Sequence, residues 1–147
     1  MKGSKIVSAA EPRGRFKEGI VSGTPLPGTF MQLTNAAPQA GRFTYAAAPA
    51  NAVNVAILLE DDLQGFGVGT AYTSGARCRL YVPAGGEEVN CLLATGVTPA
   101  VGALIAVGAS GIGVAAATNP PVVECLENLA ALGANTLVLC EATANLG

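Results

Sequence analysis

The chain has 147 residues, half of them apolar and only 12% charged, with neither His nor Trp. That length suits one domain with a core of its own, and the lack of His removes the commonest general base and any Cys-His or Ser-His nucleophile pair. A soluble domain carries about 25% charged residues, so the shortfall implies surface that faces copies of the chain or a larger shell.

Residues 1–17 hold Lys2, Lys5, Arg13, Arg15 and Lys17 against Glu11 alone, a net +4, which leaves −6 to residues 18–147. Residues 1–28 read as an extended basic arm ending in Gly23-Thr24-Pro25-Leu26-Pro27-Gly28, whose prolines prevent a helix. Such an arm is either a solvated tail or a segment that docks on an acidic partner. In the docking case Lys2, Lys5, Arg13, Arg15 and Lys17 steer the contact, and Ile6, Val7, Phe16, Ile20 and Val21 are its apolar anchors.

The β-rich body is expected over residues 29–147. Thr29–Leu33 reads as its first strand, 34–54 as a loop holding at most a short strand at Arg42–Tyr45, and Val55–Leu59 as a buried strand stopped by Glu60-Asp61-Asp62. Arg77–Val82 alternates, with Cys78, Leu80 and Val82 on one face. Pro83–Gly86 reads as a turn that returns the chain as Glu88–Ala94, making a hairpin. A second hairpin is expected from Leu104–Val107 and Ile112–Ala116 around Gly108-Ala109-Ser110-Gly111. Val122–Leu126 and Thr136–Ala142 close the set, with room for one helical turn in Glu127–Leu132. The fold class is therefore mainly β, a single small barrel or sandwich with an extended N-terminal arm. No solenoid repeat is apparent.

Other functions find little support. Cys78, Cys91, Cys125 and Cys140 form no C-x-x-C pair and have no His to complete a zinc site. The N-terminus lacks the apolar stretch of a signal peptide, so reduced, half-buried thiols in a cytosolic setting are expected. Val97–Thr118 is uncharged and long enough to span a bilayer, but Pro99 and four glycines argue against a membrane helix. Gly65-Phe66-Gly67-Val68-Gly69 lacks the spacing and the Lys-Ser/Thr of a phosphate loop. Glu60–Asp62 is better read as a solvated turn than as a catalytic pair. Arg13-Gly14-Arg15 could touch phosphates, but the body is acidic and offers no aromatic platform for bases. No enzyme activity, cofactor, metal, nucleic acid or membrane partner is expected.

The passage from Val55 to Gly65, an apolar strand, an acidic turn and Leu-x-Gly, resembles the capsid decoration (cement, head-stabilising) proteins of tailed bacteriophages. The likeness continues through Ala71–Tyr81, the paired acids of Pro83–Asn90, the hairpin Leu104–Val114 and the closing strands, covering roughly residues 50–143. Gly102-Ala103 departs from it, standing where Gly-Asp is common. The resemblance implies a β-tulip-like or related core and a structural virion protein. That protein is made in the host bacterial cytoplasm and binds the outer surface of an icosahedral capsid. Its partners are the major capsid protein, whose neighbouring subunits it cements, and copies of itself, as a homotrimer or less commonly a dimer. Another phage structural part, such as a head fibre base or tail component, is the alternative, with a small nucleic-acid-binding domain as the weaker one.

Overall fold

The computed structural model describes residues 5–8 and 12–143. It is mainly β, as expected, with ten strands: β1 (Arg15–Val21), β2 (Phe30–Leu33), β3 (Thr44–Ala47), β4 (Ala56–Leu58), β5 (Arg77–Val82), β6 (Glu88–Leu93), β7 (Leu104–Val107), β8 (Gly113–Ala115), β9 (Val123–Cys125) and β10 (Thr136–Ala142). The barrel comes in tandem: β1-β3-β2-β4-β5 closes one ring and β6-β8-β7-β9-β10 a second.

The two barrels repeat one plan. In each, the first strand pairs antiparallel with the fifth and parallel with the third, and the second pairs with the third and fourth. Register is preserved as well. Lys17 opposite Leu80 answers to Val89 opposite Cys140, Val21 opposite Tyr45 to Leu93 opposite Gly113, and Leu58 opposite Leu80 to Cys125 opposite Cys140. Loop hydrogen bonds follow suit. Gly28 N donates to Leu58 O at 2.8 Å, and Gly102 N to Cys125 O at 3.0 Å. Both glycines have positive φ, 95° and 88°, which explains why Gly stands at both places. The surviving sequence trace is Ser22-Gly23-Thr24-Pro25-Leu26-Pro27-Gly28 against Thr95-Gly96-Val97-Thr98-Pro99-Ala100-Val101-Gly102.

Alternation along the strands sorts the core. Val21, Met31, Tyr45, Ala56, Leu58, Cys78, Leu80 and Val82 fill the first barrel. Phe30, Ile57 and Tyr81 leave its outer wall to join the interior of the second barrel in one continuous cluster. That shared cluster makes the two barrels a single packed body.

Three expectations are corrected. Arg77–Val82 and Glu88–Leu93 do not form a hairpin: β5 pairs with β1 and β4, and β6 with β10 and β8, so Pro83–Glu87 links the barrels. Cys78 and Cys91 accordingly lie in different barrels. Residues 15–28 are not an arm, because Arg15–Val21 is a wall of the first barrel, with Val21 in its core. Glu127–Leu132 forms neither helix nor strand.

Candidate functional site

The residues expected to make contacts fall into two groups, one along the edge of β6 and one in and just before β1. Lys2 falls outside the described residues. Lys5–Ser8 runs along the edge of β6, with Val7 opposite Val89 in an antiparallel bridge. Asn90 N donates to Ile6 O at 2.8 Å, and Ser8 N donates to Glu88 O at 3.1 Å. Asn90 Nδ2 donates to Lys5 O, and Ile6 N donates to Glu60 Oε2, both at 3.0 Å. Ile6 is fully buried in the shared core and Ile20 is buried too. As docking anchors these two are therefore corrected: their apolar surface already packs within the chain.

The segment before β1 is held by Glu87, a carboxylate only 4% exposed. Its Oε2 accepts Arg13 N at 2.8 Å, its Oε1 accepts Ala84 N at 2.7 Å, and the Tyr81 hydroxyl donates to both oxygens, at 2.7 and 2.9 Å. Gly14 N in turn donates to the Tyr81 hydroxyl at 2.8 Å. Burial alone raises the carboxyl pKa, but the donors from Arg13, Tyr81 and Ala84 outweigh it and hold Glu87 below its ordinary value. Burial, then the neighbouring Glu87, raises the Tyr81 pKa, so the phenol stays a donor. Composition reading missed this node, although the Glu87-Glu88 pair after Gly85-Gly86 is its sequence signal.

The remaining residues lie just before and at the start of β1 and, by strand alternation, on both of its sides. Arg13 and Arg15 are exposed. Phe16 is 54% exposed with its ring 4.7 Å from that of Tyr81. Glu18 Oε2 lies 3.5 Å from Arg42 Nη2. Lys17 turns to the other side, where it helps line a hollow of about 330 Å³. A larger groove of about 600 Å³ runs past Lys5, Glu18, Glu60, Asp61, Arg77 and Arg79. Lys5, Arg77 and Arg79 line it beside the acids, and within the turn Glu60 Oε2 accepts Ile6 N and Asp61 Oδ2 accepts Gln64 Nε2 at 2.6 Å, so both carboxylates already have partners. Among the described residues, no group of His, Cys, Asp or Glu is placed to hold a metal ion, and no helix is long and apolar enough to cross a membrane.

The sequence matches no family model and no curated protein. Among solved structures the chain is similar to the head fibre gp8.5 N base of bacteriophage phi29, with a TM-score of 0.59 and 10% identity, over 90% of this chain and 96% of that one. At that identity the likeness is one of fold, and it extends over nearly the whole of both chains.

Proposed function

We propose that this chain is a structural protein of a tailed-phage head, of the head-fibre-base kind. It sits on the outer surface of the capsid as a homo-oligomer, a trimer by preference, and touches the shell through the segment carrying Arg13, Arg15, Phe16 and Lys17, whose side chains lie on both sides of β1. The observation that carries the reading is the end-to-end likeness to a head fibre base. The low charge of the chain and the capsid-protein resemblance of residues 50–143 support it independently. The buried carboxylate Glu87 is fully engaged in holding backbone, which leaves it no catalytic proton to move.

Binding requires no chemistry. A protein that binds only the assembled shell stabilises it by mass action, and several identical subunits gripping together add avidity. Basic residues on an exposed face act mainly on encounter and orientation, so shell binding weakens as salt rises. Reversing Arg13, Arg15 and Lys17 to Glu should abolish binding to purified heads at low salt while the protein stays folded. Unchanged binding by that variant would remove this segment from the contact. Cementing of neighbouring capsid subunits shares the same location. It separates from a fibre-base role in one respect: a cement raises the temperature at which heads break, and a fibre base leaves it unchanged.

A further inference from the structure

The two barrels differ at one edge. In the second barrel, residues 5–8 are added to β6 as an antiparallel strand through Asn90 N and Glu88 O, with Val7 opposite Val89. The repeat register puts Glu18 where Asn90 stands, Phe16 where Glu88 stands and Lys17 where Val89 stands. On β1, Val21 turns its N–H to the β5 side, onto Ala76 O, whereas Ile20 and Ser22 turn theirs to the other side, onto Phe43 O and Tyr45 O. By the same alternation Phe16 and Glu18 present their backbone groups on that other side. β3 meets β1 only at Ile20 and Val21, and among the described residues no strand pairs with Phe16 or Glu18 there.

A hollow lies beside this edge, at the rim of the first barrel's packed core. Lys17, Met31, Leu33, Tyr45, Val55 and Val82 line the space of about 330 Å³, and Leu33 is 53% exposed at its rim. In the second barrel Val7, carried by the added strand, packs against the core.

We propose that the β1 edge at Phe16–Glu18 is a strand-acceptor site. It takes one extended segment of a partner polypeptide, antiparallel, with an acidic side chain opposite Lys17 and an apolar one against Phe16. Main-chain hydrogen bonds supply affinity, and the pockets for alternate side chains supply selectivity. A carboxylate on an aliphatic stem fits a hollow whose one charged group is the Lys17 ammonium, set beside the Asn54 amide and the Tyr45 phenol. A second copy of β1 does not fit. Two such edges meeting antiparallel set Lys17 against Lys17 or against Arg15, and like charges directly opposite are destabilising. A lysine turned inward on an edge strand is a known guard against self-pairing, and here it becomes a filter for acid. The inference goes beyond the head-surface reading and does not depend on it.

The test is an amide NMR titration of the full chain with end-capped heptapeptides that alternate valine and glutamate, and with the same peptides carrying lysine for glutamate. The expected result is saturable shifts centred on the Phe16 and Glu18 amides, with the acidic peptide bound about tenfold tighter than the lysine one. Lys17→Glu should invert that preference. Glu18→Pro should abolish binding, because it removes an N–H on the open side and spares the ladder to β5; if it fails to fold, Lys17→Glu decides alone. Equal shifts with both peptides, shifts centred elsewhere, or no shifts at millimolar peptide would overturn the proposal.

Discussion

Replacing Glu87 with Gln tests the link between the two barrels and the segment before β1. The amide has nearly the same shape as the carboxylate but no charge. Its NH2 must also face one of two fixed donors, Ala84 N at one oxygen or Arg13 N at the other. A hydrogen bond to a charged group contributes about 1.5–3 kcal/mol, and a buried donor left unpaired costs a similar amount. The bonds share one carboxylate and do not add, so the expected loss is about 2–4 kcal/mol, or roughly 5–15 °C in melting temperature for a chain of this length. The pH dependence carries a sign. Because the folded pKa of Glu87 is lowered, its contribution is fully present above the unfolded carboxylate value of about 4.3. It is lost as pH falls through the folded value. Urea denaturation of both proteins across pH 8 to 3 should show a constant gap down to about pH 5 that closes below about pH 4. A variant as stable as the parent at pH 7, or a gap unchanged at pH 3, would refute the reasoning.

Truncating Ile6 to Ala removes a fully buried side chain from the shared core and should cost about 2–5 kcal/mol by denaturant unfolding. A tail that merely rests on the surface would cost nothing. Gly111 has φ of +70°, and a Cβ there would press on the Phe30 carbonyl oxygen and on Thr29 of the first barrel. Gly111→Ala should therefore destabilise by about 1–3 kcal/mol, and by more than Gly41→Ala, where φ is +78° but the space is open. All four cysteines are buried and unbridged, and burial pushes the Cys78 thiol up to about 11. Alkylation of the native protein at pH 8 should be slow and should reach four thiols on unfolding; a count of two would show a bridge.

What could be read in the sequence follows from where charge and turns fall. The strand Arg77–Val82 was legible, because Cys78, Leu80 and Val82 face one core while Arg77 and Arg79 face solvent, but its alternation gave no sign that Tyr81 is buried in the second core. β1 has the same alternation in Gly19 and Val21, but Arg15, Lys17 and Glu18 stand at an open edge where charge is tolerated, so the segment read as an arm. The Pro83–Gly86 turn suggested a hairpin because local turn chemistry is the same whether a chain reverses onto its neighbour or crosses to a second barrel. The duplication was hidden because the barrels share backbone requirements rather than side chains. Gly23, Pro25 and Gly28 recur as Gly96, Pro99 and Gly102, while Leu58 and Leu80 became Cys125 and Cys140, and Tyr45 became Gly113. Among the candidate contact residues, charge identified Arg13 and Arg15, which are exposed, and Lys17, which is partly buried beside the hollow. Hydrophobicity could not distinguish Phe16, which is half-exposed, from Ile6, which is core.

The most direct test of the proposed head-surface role is to locate the protein on phage particles purified from the culture that produces it. Gold-labelled antibody against the chain, viewed by negative-stain microscopy, should decorate the outer face of intact heads. Label confined to tails, or protein found only in the unbound fraction, would contradict that role.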